Sequence, residues 1–338
     1  MKFVLTGGGT GGHLAIAKAL LDAITAAGDE AIFIGSTTGQ DRMWFGEGSA
    51  FEQTHFLETT GVVNRRGIAK LAALWRVARS ALEARRIMRR YRPDAVISVG
   101  GFSAAPASFA ALSLKLPYFI HEQNAVTGRL NRLLRRYARC FFSSYDPESP
   151  VKSYPVNRAL FESARVRERV ETVIFLGGSQ GAKAINDFAL AVAPALANCG
   201  IAIIHQCGER DYERVREAYA AMGIGVELYG FTKELPSLLA RSDLAVSRAG
   251  ASTLWELAAN GLPALYVPYP YAAGDHQYYN AMYLAEQGLS RVVREAELRP
   301  ELLEQMLDEG VEAASRGLRA LEGDDAAAAI IAAVREAC

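Results

Sequence analysis

Cysteine is scarce in this 338-residue sequence: Cys140, Cys199, Cys207 and Cys338 are scattered and form no C-x-x-C pair. That pattern argues against a disulfide framework and a thiolate metal site, and fits reduced thiols in a cytoplasmic protein. Long apolar runs are missing too, so no segment reads as a membrane-spanning helix. The opening Met1-Lys2-Phe3-Val4-Leu5 meets glycine too soon to form the apolar core of a signal peptide. No D-x-D pair is present to hold a metal, and net charge is absent, with 37 Lys and Arg against 37 Asp and Glu. What remains is half hydrophobic and 22% charged, the composition of a soluble globular protein. Its length exceeds one ordinary core and predicts two domains.

Neutrality hides an asymmetry. Residues 1–156 carry 20 Lys and Arg against 12 Asp and Glu, a balance of +8, and the remainder carries 17 against 25. Between residues 61 and 92, Arg65, Arg66, Lys70, Arg76, Arg79, Arg85, Arg86, Arg89, Arg90 and Arg92 face Glu83 alone. A second run, Arg129, Arg132, Arg135, Arg136 and Arg139, contains no acid. Such a half suits a polyanionic partner, a membrane or a nucleic acid. The nucleic-acid reading finds neither an aromatic-rich basic strand nor zinc spacing.

Short β-type runs alternate with helical patterns. Strands are predicted at Lys2–Thr6, Ala31–Gly35, Ala95–Val99, Pro117–His121 and Cys140–Ser143, with helices over Leu14–Ala27, Ile68–Tyr91 and Ala105–Leu114. The pattern restarts after a hinge near Tyr154–Phe161. Its strands are Val173–Leu176, Ile201–Gln206, Val226–Tyr229, Leu244–Ser247 and Ala264–Val267. The expectation is an α/β protein of two Rossmann-like domains, 1–156 and 157–323, with parallel sheets facing a central cleft. A terminal Ala-rich helix is predicted over 324–338.

Two glycine-rich loops follow strands: Gly7-Gly8-Gly9-Thr10-Gly11-Gly12-His13 and Gly177-Gly178-Ser179-Gln180-Gly181-Ala182. Glycine there permits close approach of a ligand to the N–H groups of the next helix. The first loop satisfies G-x-G-x-x-G, but the second strand ends Ile34-Gly35-Ser36 without the carboxylate an NAD site expects. His13 reads as a general base or as a residue that caps the helix or steadies the loop. Gly100-Gly101-Phe102-Ser103 is another close-approach loop. His121-Glu122-Gln123-Asn124 offers sugar-binding groups or an internal polar network. In Ser247-Arg248-Ala249-Gly250-Ala251-Ser252-Thr253-Leu254-Trp255-Glu256, Ser252 and Thr253 can cap a helix, and Glu256 can accept both hydroxyls of a ribose. Asp275-His276-Gln277-Tyr278-Tyr279-Asn280 is a further polar group after a strand.

In these motifs, together with Gly261-Leu262-Pro263-Ala264, the chain resembles the MurG family over nearly its whole length. These are the UDP-N-acetylglucosamine transferases that convert lipid I to lipid II in peptidoglycan synthesis. The resemblance implies a GT-B fold, UDP-GlcNAc in the second domain, lipid I in the first, and a last helix that returns to the first domain. It implies an inverting hexosyltransferase that attaches GlcNAc to the C4 hydroxyl of MurNAc, with UDP-GlcNAc as substrate and no cofactor or metal required.

By the same resemblance, Glu256 is the ribose carboxylate, with Gly250, Ala251, Ser252 and Thr253 beside it. Ser179 is the diphosphate contact, with Gln180 and Gly181 also on the donor, and Phe231 and Thr232 stand at the uracil. His276 and Gln277 occupy the positions of two family glutamines that meet GlcNAc, and only Gln277 matches in type. Thr10, Gly11, Gly12 and Asn124 complete the donor side. His13 is the candidate base, assisted by Glu122. Gly9, Phe102, Ser103, Glu122 and Asn124 face the acceptor. The family's proline after His13 is missing. At the hinge, Tyr154-Pro155-Val156-Asn157-Arg158 departs from Asn-Pro-Val-Arg, which leaves Arg158 one residue from the phosphate-contacting position.

The implied place is the cytoplasmic face of the bacterial inner membrane, as a peripheral protein of cell wall biogenesis, cell shape, cell division and the cell cycle. Partners then include an anionic leaflet and other cell-wall synthesis or division proteins, without nucleic acid. On a helix from Ile68 to Tyr91, Val77, Ala81, Ala84 and Met88 form one stripe, which suits packing on the domain's own sheet. Leu71, Leu74, Trp75, Ala78 and Leu82 form another that continues as Arg85, Arg86 and Arg89. That second face reads as a membrane surface or as packing beneath a neighbouring loop. Two enzymatic alternatives share the donor half: a lipid glycosyltransferase with another acceptor, and a UDP-GlcNAc epimerase.

Overall fold

The computed structural model describes residues 1–61, 66–178, 181–321 and 325–338. The chain forms two compact units, Met1–Val156 with Asp325–Cys338, and Asn157–Asp324. The first runs β1 (Lys2–Thr6), α1 (Gly11–Ala26), β2 (Glu30–Ser36), α2 (Asp41–Phe45), β3 (Gln53–Leu57), α3 (Gly67–Tyr91), β4 (Ala95–Ser98), α4 (Ala105–Ser113), β5 (Tyr118–His121), α5 (Arg129–Leu134) and β6 (Cys140–Phe142). The second begins with α6 (Arg158–Glu162), β7 (Thr172–Leu176), α7 (Lys183–Asn198), β8 (Ala202–Gln206), α8 (Tyr212–Met222), β9 (Glu227–Tyr229) and α9 (Leu235–Arg241). It continues with β10 (Leu244–Ser247), α10 (Ala251–Ala259), β11 (Ala264–Tyr266), α11 (His276–Ala285), β12 (Arg291–Val292), α12 (Pro300–Glu309) and α13 (Glu312–Leu321). The final helix, α14 (Ala326–Glu336), packs on α1 in the first unit.

Each unit is built on a six-stranded parallel sheet, ordered β3-β2-β1-β4-β5-β6 and β12-β11-β10-β7-β8-β9. Counted within its own unit, each sheet has the same order. The central strands are apolar without alternation because helices cover both faces. Phe3, Val4 and Leu5 of β1 and Val173, Ile174 and Phe175 of β7 are all fully buried. Around them lie Ile32, Val96, Ala84 and Met88 in one core, and Ile185, Val192, Val246 and Leu265 in the other.

Strand order reverses between β1 and β4, and again between β7 and β10. In open α/β sheets such a reversal leaves a crevice at the strands' carboxyl ends. The loops after these four strands carry the glycine motifs.

Candidate active site

In the first unit the loops after β1 and β4 are interlocked. A Cβ on Gly7 (φ 123°) would lie 2.5 Å from the Gly100 carbonyl oxygen. That oxygen accepts the Gly8 N–H at 3.1 Å. The next amide, Gly9 N–H, donates to Asp41 Oδ1 at 2.6 Å, and Ser36 N–H donates to Asp41 Oδ2 at 2.7 Å. Asp41 is fully buried, and this desolvation raises its pKa against the lowering effect of the amides. So a carboxylate does reach the end of β2, from five residues farther on. It binds the loop's own backbone, not a ribose. The Gly8 and Gly9 amides of this G-x-G-x-x-G turn are thus engaged internally.

Thr10 precedes α1, and its hydroxyl does not cap the helix. It lies 2.9 Å from His13 Nδ1 instead. His13, in the first turn and half-buried, therefore does not cap α1 either. Its Nε2 is 2.9 Å from the side-chain nitrogen of Gln123. Gly11 and Gly12 form the start of the helix between them. His121, buried edge-on to Tyr154, has its pKa pushed down to about 3 by burial, with His13 as a secondary cause.

Glu122 lies just past β5. Its buried carboxylate accepts Asn124 N–H at 3.0 Å, Gly128 N–H at 2.8 Å and Asn131 Nδ2 at 2.9 Å. Two of these donors belong to the loop after β5 and the third to α5, so the carboxylate ties the loop to that helix as an internal polar network does. Ser103 is buried in the helical turn Phe102–Ala104, with its hydroxyl beside the Asp41 carboxylate. Phe102 packs against Gly9, and Asn124 is half-buried at the tip of the β5 loop.

In the second unit, Ser179 and Gln180 lie outside the described residues. Around them, Gly177 N–H donates to Gln206 O at 2.9 Å, and Gly181 N–H to Gly178 O at 3.0 Å. Gln206 Nε2 donates to Gly178 O at 3.0 Å and to Gly230 O at 3.1 Å, tying the β7 loop to the Phe231–Thr232 segment. Behind this loop, Asn186 donates to Cys207 O and Asp211 and lies 3.0 Å from His205 Nε2, while His205 Nδ1 meets Tyr219 OH at 3.0 Å. These polar partners are all satisfied, and burial holds His205 neutral with a pKa of about 3.

Gly250 is the residue that precedes α10, so Ser252 and Thr253 lie within the first turn and do not cap it. That turn carries no acid, which leaves the positive end of the helix suited to an anion. One turn on, Glu256 keeps part of its surface in solvent while protein crowds the rest. Its carboxyl has no hydrogen-bond partner among the described residues, and desolvation raises its pKa to about 7.

Thr232 Oγ1 accepts Glu234 N–H at 3.0 Å beside an exposed Phe231. Gln277 Oε1 accepts Tyr269 N–H at 2.9 Å, which leaves the amide nitrogen to donate, and His276 Nδ1 is held by Ala273 O at 2.9 Å. Arg158 faces solvent and pairs with Glu162 at 3.1 Å along α6, so here it is not directed at a phosphate. Among the described residues no cluster of three His, Cys, Asp or Glu is placed to hold a metal ion.

The second stripe of α3 is uncovered among the described residues: Leu71 is 67% exposed, Trp75 65% and Leu82 59%. This overturns packing beneath a loop. Val77, Ala84 and Met88 are buried as the first stripe predicts. Arg86 and Arg89 are exposed, but Arg85 turns to Ser113 Oγ at 2.9 Å and leaves the row. No helix among the described residues is long and apolar enough to cross a membrane.

The glycosyltransferase family 28 N-terminal domain matches residues 3–143, and the family's C-terminal domain matches residues 172–332. The chain belongs to this family. It is 55% identical, over 95% of both chains, to the UDP-N-acetylglucosamine–N-acetylmuramyl-(pentapeptide) pyrophosphoryl-undecaprenol N-acetylglucosamine transferase of Wolinella succinogenes. The protein of the same description from Sulfurimonas denitrificans is 58% identical over 90% of this chain and 89% of its own. Among solved structures, Acinetobacter baumannii MurG is similar with a TM-score of 0.79 and 27% identity, covering 99% of each chain. The fold is that of the GT-B glycosyltransferases.

Proposed function

We propose that this chain is the inverting transferase that moves GlcNAc from UDP-GlcNAc to the C4 hydroxyl of MurNAc in lipid I, forming lipid II. Carrying this reading is identity above 50%, along nine-tenths of the chain or more, with transferases of that description. The second unit binds the donor and the first the acceptor. The C4 oxygen attacks the anomeric carbon, the bond from that carbon to the diphosphate oxygen breaks, and its electron pair leaves with UDP. The C4 proton passes to His13. Charge developing on the leaving diphosphate is stabilised at the N-terminus of α10, and Glu256 accepts the ribose hydroxyls.

Purified chain with UDP-GlcNAc and a short-chain lipid I analogue is expected to release UDP and add one GlcNAc to each acceptor. Turnover of UDP-GlcNAc to a free epimerised sugar, or transfer only to lipids without MurNAc, would support the alternatives instead.

Binding of this chain to the cytoplasmic face of the inner membrane is part of the same proposal. The exposed Leu71, Leu74, Trp75 and Leu82, passing into Arg86 and Arg89, suit an anionic leaflet, with apolar groups inserted and guanidinium groups on phosphate. Trp75→Glu with Leu82→Glu is expected to release the protein from anionic vesicles in co-sedimentation while sparing UDP binding. Unchanged co-sedimentation by the folded double variant would place the contact on another surface.

A further inference from the structure

Asp41 is a buried carboxylate that the proposed chemistry does not use. A Cβ on Gly8 would come within 2.6 Å of its Oδ1, and one on Gly35 within 2.8 Å of its Oδ2. Glycine at both positions makes room for the carboxylate. Burying a charge is costly unless donors satisfy it, and beside the Ser103 hydroxyl this carboxylate meets the backbone amides of Gly9 and Ser36. They belong to different loops, one after β1 and one ending β2. Gly9 leads directly into Thr10, whose hydroxyl meets His13 Nδ1 at 2.9 Å.

We propose that Asp41 is a positioning residue for the transfer: it grips Gly9 from the end of β2, sets Thr10, and through Thr10 orients the His13 ring. This rests on the reading of His13 as part of the transfer machinery. Asp41 touches no substrate, so its influence falls on turnover. The donor contacts assigned to the second unit do not pass through it.

Asparagine keeps the shape but turns a nitrogen toward one of the two N–H groups, setting donor against donor. Asp41→Asn is expected to lower kcat with a short-chain lipid I analogue by about 10–100-fold. The calorimetric affinity for UDP, whose assigned contacts lie in the second unit, should stay within about twofold. In a His13→Ala background the same substitution should cost less than about twofold, because the ring it orients is gone. A purely structural role would give equal losses in both backgrounds. That result, or an unchanged kcat for Asp41→Asn, overturns the proposal. If Asp41→Asn loses its cooperative melt, Asp41→Ser takes its place in the cycle, being short enough to admit a water that accepts both amides. If that variant also fails to melt cooperatively, Asp41 is a stability determinant of the whole unit and the proposal falls. Failure of the underlying reading looks different: His13→Ala then keeps wild-type kcat.

Discussion

His13→Ala is expected to lower turnover by roughly 10²–10⁴-fold, the usual contribution of a positioned base. UDP affinity should stay within a few-fold, because the ring belongs to the first unit and the assigned uridine contacts to the second. One assignment of the hydrogen bonds around the ring gives the form that this role needs. When the Gln123 amide nitrogen, at 2.9 Å, donates to Nε2, that atom is the acceptor and Nδ1–H donates to Thr10 Oγ1. Nε2 then carries the lone pair, and an incoming hydroxyl takes the place of the amide. Single-turnover rates with a lipid I analogue, beside calorimetric UDP binding, check both halves of the prediction. Near-normal turnover by the folded variant would return His13 to a structural part of the loop.

Much of the fold is legible in the chain because its central strands are covered on both faces. Continuous apolar runs such as Phe3-Val4-Leu5 and Leu244-Ala245-Val246 then mark strands directly, and β1 and β10 fall where those runs place them. Edges are harder to read. β3 begins Gln53-Thr54-His55 and is only partly buried, while β12 is two residues long, so neither shows an apolar run or a clear alternation. Helix periodicity separates the two stripes of α3, but only tertiary packing decides which one is covered.

The site divides in the same way. Glycine loops are visible because their residue type reports close backbone approach. The partners that hold those loops are not. Asp41 reaches Gly9 and Gln206 reaches Gly230 only after the chain has folded back on itself. An acid five residues beyond a strand, and a glutamine ending one, are ordinary in sequence. Glu122 is ambiguous in the sequence. Its type and place allow sugar binding or an internal polar network, and its three donors show the network.

Glu256→Ala is expected to weaken UDP-GlcNAc binding by roughly 10²–10⁴-fold, from two charge-assisted hydrogen bonds of about 1.5–3 kcal/mol each. The environment of the carboxyl adds a pH signature. Unliganded, it titrates at about 7 because it is crowded and has no hydrogen-bond partner among the described residues. Ribose hydroxyls donate to its charged form, so binding lowers that pKa and expels a proton in mildly acid solution. Affinity should therefore fall as pH drops below 7, by up to about tenfold per unit. UDP-GlcNAc is the suitable probe, since its doubly esterified diphosphate does not titrate near neutrality. Glu256→Gln should abolish the proton release seen by calorimetry in buffers of different ionisation enthalpy. Stability should move the opposite way. The folded-state pKa of about 7 lies above the reference value of 4.5, so the folded state holds this proton more tightly. The contribution to stability is full below 4.5 and is lost as pH rises through 7. Glu256→Gln should then melt above wild type at pH 8 and converge with it in acid, while binding the donor more weakly. A carboxylate left unsatisfied until the ligand arrives predicts that trade. Equal affinities of wild type and Glu256→Ala for UDP-GlcNAc would show that the ribose is held elsewhere.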